Sequence, residues 1–284
     1  IIPNRTWIAT AHSAAILNAK IIIADVKKNI PIIDEDKIKK LITNKTKAII
    51  LVNINGRNTE INKIKKIVKG KNIKIIEDAS QAIGSKNGKN FLGTESFCSF
   101  FSLSVAKTIS TGQGGFVVTD NSKFANKLRL KRTHGVVNVN NVDVFPMQGF
   151  NFRYNDILAA VGIVQLKKLL SRKKKLIDIY NIYKNELLNP DFRIIPVDLA
   201  RGEIPVYIEY LVKNRIKYLK YLNNKGIEIR TFYPDISQAK YLNTSKRKIP
   251  KTIYSTEGVY LPSGPAQKIN DIKKIIKLIN SIKC

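Results

Sequence analysis

Two stretches of the chain decide the fold: residues 73–81 read IKIIEDASQ, and residues 99–115 read SFFSLSVAKTISTGQGG. Each opens with a short apolar run of the kind found in buried strands, and polar residues follow directly. In open parallel sheets, ligands bind beyond the carboxyl ends of the strands. The side chains that follow these two strands are therefore expected at one edge of one sheet, where they can form a site.

The same alternation of strand and helix continues on both sides of these stretches. Further apolar runs predict strands at Ile21–Ala24, Ala48–Val52 and Gly115–Thr119. Helix-length amphipathic patterns lie at Thr10–Leu17, Asp36–Leu41, Ile61–Val68 and Lys123–Lys131. Strands that alternate with helices are typical of βαβ units and of a largely parallel sheet.

The second half of the chain has a different organisation. A long helical pattern runs from Asn155 towards Leu188, and Pro190 and Pro196 then interrupt the chain. Shorter patterns follow, with strands at Val206–Leu211 and Ile227–Thr231 and helices at Arg215–Asn224 and Ile269–Ile282. We predict an α/β fold with a large domain at residues 1–170. Residues 171–284 would form a linking helix and a smaller α+β domain.

Composition limits the class of protein. The 284 residues are 44% hydrophobic, which is enough for a sizeable core. No stretch approaches the roughly 18 uncharged apolar residues of a membrane helix, and we expect a cytoplasmic protein without a membrane partner. Cys98 and Cys284 are far apart and form neither a disulfide framework nor a metal motif, so no metal site is predicted.

The formal net charge of +29 raises a second hypothesis, a nucleic-acid-binding or regulatory protein. The lysines are, however, spread along the whole chain among many isoleucines and asparagines. No clustered basic stripe with interleaved aromatic residues is present, which disfavours a nucleic-acid partner. The same positive field would attract a small anionic substrate.

Three side chains carry the chemical hypothesis. Asp78 follows the strand at residues 73–76, although a helix cap would explain it equally well. Ser102 and Lys107 follow the next strand and precede a glycine-dense turn, although Lys107 could be an ordinary surface lysine. Together they suit pyridoxal phosphate (PLP), which needs a lysine for a Schiff base, a carboxylate for its ring nitrogen and donors for its phosphate.

Several motifs in fixed order resemble the DegT/DnrJ/StrS-type sugar-nucleotide aminotransferases, with perosamine synthases the nearest kind. They are PNRTWIATA at residues 3–11, EDASQA at 77–82, residues 101–115, RTHG at 132–135, FNFR at 150–153, GIEIRTFYP at 226–234 and LPSGP at 261–265. The resemblance runs essentially from end to end. It implies the PLP-dependent transferase fold of the aspartate aminotransferase type, and a homodimer with shared active sites.

The resemblance also implies a role for each matching residue. Lys107 would bind the cofactor and then carry the proton between substrate and cofactor, and Asp78 would pair with the ring nitrogen. The other implied cofactor contacts are stacking by Trp7, a hydrogen bond from Gln81 to the phenolic oxygen, phosphate contacts from Ser102, and contacts by Asn151 and Arg153 to the phosphate of the partner subunit. Each side chain also has a plain structural reading, as core aromatic, exposed helix residue or loop.

The implied reaction is transfer of an amino group, with glutamate as donor, to a nucleotide-linked keto-deoxysugar in polysaccharide biosynthesis. A related alternative is a PLP-dependent sugar dehydratase, but such relatives lack the cofactor-binding lysine and Lys107 is present. The chain begins inside an apolar run at Ile1, so we expect a preceding segment with the family's glycine- and threonine-rich phosphate loop. A catalytically dead fragment is a further alternative.

Overall fold

The computed structural model describes residues 1–142, 144–242 and 249–282. Cys284 lies outside the described residues, so the prediction made for it is not tested. Within the described part of the chain, no helix is long and apolar enough to cross a membrane. Those residues also contain no group of three or more His, Cys, Asp or Glu side chains that could hold a metal ion.

The first half of the chain alternates short strands with helices, as the sequence predicts. Its elements are β1 (Ile2–Pro3), α1 (Ala9–Ala15), β2 (Ile23–Ala24), α2 (Glu35–Leu41), β3 (Ala48–Val52), α3 (Ile61–Val68), β4 (Lys74–Asp78), β5 (Lys86–Asn87), β6 (Asn90–Phe91), β7 (Cys98–Ser102), β8 (Gly115–Val118) and α4 (Ser122–Arg132). Strands β1, β5 and β6 are too short to leave a periodic signal, and the sequence did not predict them.

The central sheet has the strand order β3-β4-β7-β8. Strand β4 is parallel to both of its neighbours, and only β8 is antiparallel, to β7. The registers pair Val52 with Asp78 and Asp78 with Phe100, so three parallel strands end at one edge. The prediction of a largely parallel sheet is confirmed.

Burial of isoleucine side chains explains why these elements pack together. In α3, Ile61, Ile64 and Val68 are buried and share one face of the helix, while the lysines between them face solvent. These three residues join buried side chains of β3 and β4 in one cluster under the sheet. In α3, therefore, the lysines lie on the outer face of a helix whose inner face is apolar.

The second half of the chain is built on an antiparallel sheet. Its elements are α5 (Asp156–Lys167), α6 (Leu169–Glu186), β9 (Phe192–Ile194), β10 (Ile208–Val212), α7 (Arg215–Asn224), β11 (Arg230–Thr231), α8 (Ile253–Glu257), β12 (Gly258–Leu261) and α9 (Ile269–Asn280). The strand order is β11-β12-β10-β9, with every neighbouring pair antiparallel. Helices α6, α7 and α9 cover the sheet and form its core.

Two predictions for this half need correction. The helical pattern from Asn155 towards Leu188 is two helices, because α5 ends at Lys167 and α6 begins at Leu169. The apolar periodicity continues across the junction at Lys168, so the sequence shows no break there. The strand predicted at Ile227–Thr231 is only Arg230–Thr231, because β11 is an edge strand that pairs with β12 over two residues.

A buried ion pair joins the two halves. The Nη1 atom of Arg57 lies 2.6 Å from Oε2 of Glu209, and both side chains are 1% exposed. Arg57 also donates from Nε to the carbonyl of Pro196 and from Nη2 to that of Ile195, so each guanidinium nitrogen has an acceptor. Since breaking a buried pair leaves an uncompensated charge, this contact fixes how the antiparallel sheet sits against the parallel one.

Candidate active site

A cavity of about 1260 Å³ lies between the two sheets. The parallel sheet contributes side chains from its carboxyl edge, including Asp78 and Ser102, and the antiparallel sheet contributes Arg230 and Tyr260. Of the seven residues predicted to bind the cofactor, five line this cavity: Trp7, Asp78, Gln81, Ser102 and Lys107. The structure thus brings together residues that are up to a hundred positions apart in the sequence.

Asp78 is held in place from two sides. The hydroxyl of Thr10 donates to Oδ2 of Asp78 at 2.8 Å, and the N–H of Ser80 donates to Oδ1 at 3.1 Å. The Oγ1 atoms of Thr6 and Thr10 are also 2.8 Å apart. Because the single hydroxyl proton of Thr10 is directed at Asp78, Thr6 is the donor in that second contact. A polarised chain of two hydroxyls therefore ends on the carboxylate.

Lys107 lies in the loop between β7 and β8 and is half-buried. Burial lowers the pKa of its ammonium group below the ordinary 10.5, while the nearby carboxylate of Asp78 raises it. Burial is the larger of the two effects, so the neutral amine is more populated than for a lysine on the surface. A neutral amine is the form that can attack a carbonyl carbon or accept a proton.

The loop that carries Lys107 is folded back onto the sheet by backbone hydrogen bonds. The N–H of Leu103 donates to the carbonyl of Gly114, and the N–H of Thr111 donates to the carbonyl of Leu103. Gly114 has a φ of +113°, and a Cβ there would collide with the ring of Tyr154. This glycine is thus required both by its backbone conformation and by the close approach of a side chain.

Ser102 ends β7 at the same edge. Its Oγ lies 2.9 Å from Oγ of Ser104 and accepts the N–H of Ser104 at 3.2 Å. Two hydroxyls side by side at a strand end suit an oxyanion such as a phosphate, because each can turn its O–H towards it. A parallel β-bridge pairs Ser104 with Gly112, which lies farther along the same loop.

Trp7 and Gln81 face the cavity from different elements. Trp7 precedes α1 and is 58% exposed, and its ring meets that of Tyr233 edge-on at 5.5 Å. The indole face is therefore open to a flat ligand. Gln81 follows β4, and its Oε1 accepts the N–H of Asn55 at 2.7 Å.

Asn151 and Arg153 do not line the cavity. Both are exposed, and Nε of Arg153 donates to Oδ1 of Asn151 at 2.9 Å. They lie in an irregular segment before α5, on a face that carries other exposed side chains. The structure of one chain therefore leaves the prediction that they serve a partner's site untested.

Three residues with evident influence on the site were missed in the sequence. Thr10 orients Asp78, Asn55 contacts Gln81, and Tyr207 lines the cavity. Thr10 lies within the motif at residues 3–11, which is a signal that could have been used. Asn55 and Tyr207 contact the site through tertiary hydrogen bonds, and no local pattern marks them.

These residues fit PLP. The cavity offers a carboxylate held by two donors, an amine with a lowered pKa, a flat aromatic face, and hydroxyls at a strand end. These are the groups that a protonated pyridine ring with an aldehyde and a phosphate requires. Asp78 ends β4, and Lys107 lies in the loop after β7, the strand that pairs with β4. The acid and the amine therefore follow neighbouring strands of the sheet.

Comparisons with known proteins agree with this description. The profile of the DegT/DnrJ/EryC1/StrS aminotransferase family matches residues 1–280. GDP-perosamine synthase of Caulobacter vibrioides is 29% identical over 292 residues, which cover 99% of this chain and 78% of the relative. UDP-4-amino-4,6-dideoxy-N-acetyl-beta-L-altrosamine transaminase of Campylobacter jejuni is 36% identical over 197 residues, or 68% of this chain and 52% of the relative.

Among solved structures, the chain is similar to PseC of Helicobacter pylori, an aminotransferase involved in the biosynthesis of pseudoaminic acid. The TM-score is 0.88 at 26% identity, and the match covers 98% of this chain and 78% of the other.

Proposed function

The chain belongs to the DegT/DnrJ/EryC1/StrS aminotransferase family, whose cofactor is PLP, and on that premise we propose that it aminates a nucleotide-linked keto-deoxysugar. The observation that carries this proposal is the shared cavity of Asp78 and Lys107 at the carboxyl edge of the parallel sheet. Two relatives, a GDP-perosamine synthase and a UDP-linked amino-sugar transaminase, support this class of acceptor. Glutamate is the donor that we propose.

We assign roles to the residues that would hold the cofactor. Asp78 keeps a proton on the ring nitrogen, Trp7 stacks on the ring, Gln81 donates to the phenolic oxygen, and Ser102 donates to the phosphate. When bound, PLP supplies an electron sink that makes the C–H bond beside the reacting nitrogen acidic. Lys107 anchors the cofactor through Nζ and afterwards uses the same atom to move the proton at the substrate carbon.

The environment of Lys107 supports this second role. A general base works best when its pKa is near the working pH, and burial moves the pKa of Lys107 in that direction. The family resemblance implies that the related sugar dehydratases lack a lysine at this position. The presence of Lys107 in the cavity therefore favours amino transfer over dehydration.

We further propose a homodimer in which Asn151, with Arg153 beside it, contacts the phosphate in the partner's site. The support is an unusually apolar exposed face: Ile157, Ile163, Val164 and Leu166 of α5 are each at least half exposed. Exposed apolar patches of this kind mark interfaces between subunits. Asn151 lies a few residues before this helix, so a second copy of the chain docked on α5 would meet it.

The division into a large domain at residues 1–170 and a smaller one at 171–284 remains a proposal. Two separate sheets with separate cores support it. We also propose that the enzyme acts in the cytoplasm and in polysaccharide biosynthesis. Nucleotide-linked sugars carry charged diphosphates and are made where nucleotides are available. A nucleic-acid-binding function has no comparable support in the site.

The experiment that tests the proposal uses ¹⁵N-glutamate, PLP and a panel of GDP- and UDP-linked keto-deoxysugars. Mass spectrometry should find one ¹⁵N atom in a nucleotide-linked amino sugar and an equal amount of 2-oxoglutarate. Formation of 2-oxoglutarate without any labelled sugar would mean that the acceptor is of another class. No turnover of glutamate by PLP-loaded protein would contradict the proposed reaction and donor.

A further inference from the structure

Asn55 is a junction between the two halves of the molecule. It follows β3, is fully buried and has a φ of +52°. Its Oδ1 accepts the N–H groups of Val206 and Tyr207 at 2.7 and 2.8 Å, and its Nδ2 donates to the carbonyl of Tyr207 at 3.0 Å. One side-chain amide thus holds the backbone that leads into β10.

The backbone of Asn55 acts on the site itself. Its N–H donates to Oε1 of Gln81 at 2.7 Å, and a backbone N–H can only face the oxygen of that amide. The oxygen end of Gln81 is therefore occupied, and Nε2 is the end left for a ligand in the cavity that Gln81 lines. The contact sets Gln81 as a donor.

Tyr207 extends this connection to the opposite side of the cavity. Its hydroxyl donates to the carbonyl of Ala106 at 2.9 Å, and Ala106 directly precedes Lys107. Burial, followed by Tyr233 and Glu209, raises the pKa of Tyr207 to about 12. The hydroxyl therefore remains a donor at neutral pH. The ring is fixed by an edge-on contact with Tyr260, with centroids 5.4 Å apart.

The residues directly before Lys107 in its loop have little packing of their own, whereas Thr108 and Ile109 after it are buried. Ala106 is exposed, and Val105 is 73% exposed. Within the described parts of the chain, the bond from Tyr207 is the one recorded side-chain contact to the Ala106 carbonyl. The nearest other restraint from outside the loop is Arg172, which donates to the carbonyl of Thr108 at 3.1 Å.

We propose that Asn55 and Tyr207 form a brace that fixes Lys107 and Gln81 relative to each other across the cavity. Both are positioning residues, because they act through Lys107 and Gln81. The inference deepens the proposed function and rests on it. A lysine that must first anchor a ring and then reach the substrate carbon needs its backbone held, and small misplacements of such groups are costly.

The first test is Tyr207→Phe, which removes one hydroxyl and keeps the ring. Because one hydrogen bond is lost, kcat should fall about tenfold, while KM and the PLP dissociation constant change less than about threefold. Tyr221→Phe, an exposed tyrosine on α7, is the matched control and should leave all three unchanged.

A second readout needs no turnover. In cofactor-free protein, the pH dependence of Lys107 labelling by an amine reagent can be followed by peptide mass spectrometry. A loosened loop exposes Lys107, so its labelling midpoint in Tyr207→Phe should rise towards that of a surface lysine. An unchanged labelling midpoint together with an unchanged kcat would overturn the brace. A loss of thermal stability with no change in either quantity would show a merely structural role, and it would overturn the brace as well.

Asn55→Gly tests whether the two residues act together. Glycine suits the positive φ and keeps the N–H that faces Gln81, so only the contacts to residues 206 and 207 are lost. The single variants should lower kcat to a similar extent, and the double variant should fall no further than the worse single one. Independent, additive losses would contradict a common brace.

Failure of the proposed function is distinguishable from failure of the brace. Wild-type protein that binds no PLP at Lys107 would overturn both. Wild-type protein that binds PLP at Lys107, with Tyr207→Phe indistinguishable from it, would overturn only the brace.

Discussion

Predicted site residues lie in two regions, the carboxyl edge of the parallel sheet and the exposed face around α5. The two regions differ in how far these side chains are buried and held by hydrogen bonds. At the edge, Asp78 is buried and receives two hydrogen bonds. On the face, Asn151 is exposed, and its recorded side-chain contact is with Arg153. The groups proposed to react are therefore organised within one chain, whereas the phosphate contacts proposed for Asn151 need a second one.

The largest effect expected is at the edge, from Lys107→Ala. Loss of the cofactor anchor and of the proton carrier should lower kcat by at least about 10³-fold. Lys89→Ala, an exposed lysine between β5 and β6, is the control and should retain full activity. Steady-state assays of amino transfer measure both. If Lys107→Ala kept wild-type activity, the carboxyl edge of the parallel sheet would not be the catalytic site.

Asp78→Asn should be the next largest change. It keeps the shape of the side chain but removes the charge that holds a proton on the ring nitrogen. We expect kcat to fall about 10²–10³-fold, since the loss is of an electrostatic contact that matters in the transition state. The spectrum of the bound cofactor should also change. A variant with an unaltered rate would leave Asp78 as a residue that only shapes the turn after β4, where it accepts the N–H of Ser80; the described residues that directly follow it form no helix that it could cap.

Thr10 gives a finer test of how the edge is organised. Thr10→Val keeps the shape but removes the hydroxyl that donates to Asp78. A lost hydrogen bond to a charged group should lower kcat about tenfold, and Thr10→Ser should restore most of it. If Val and Ser variants behave alike, the hydroxyl has no role and the packing of α1 explains any loss.

The smallest effect expected is on the face. Asn151→Ala should raise the dissociation constant of PLP about fivefold, because one neutral hydrogen bond to the phosphate is lost. Titration of cofactor absorbance measures it, and Asn223→Ala on α7 is the control. An unchanged dissociation constant in a protein that sediments as a dimer would leave Asn151 as an ordinary loop residue.

The sequence predicted most of what is local in this molecule. Asp78, Ser102 and Lys107 could be placed at one edge because each follows an apolar run, and strand ends of a parallel sheet meet there. Helix α3 could be placed because Ile61, Ile64 and Val68 repeat at helical spacing. The motif resemblance added Trp7 and Gln81, which the structure finds in the same cavity.

The remaining features depend on contacts between distant residues. Thr10 is 68 positions from Asp78, Tyr207 is 101 from Ala106, and Asn55 is 152 from Tyr207. Such hydrogen bonds follow from how two sheets meet, and no local pattern encodes them. The break between α5 and α6 at Lys168 was not predicted either, because the apolar periodicity of the sequence continues through it.

The proposed function requires that Lys107 anchors PLP. The most direct measurement is the absorbance spectrum of the full-length protein with added PLP, followed by borohydride reduction and peptide mapping. We predict a band near that of other lysine-bound PLP, and a reduced cofactor found on the peptide that contains Lys107. Folded protein with no such band, or with the reduced cofactor on another lysine, would contradict the account.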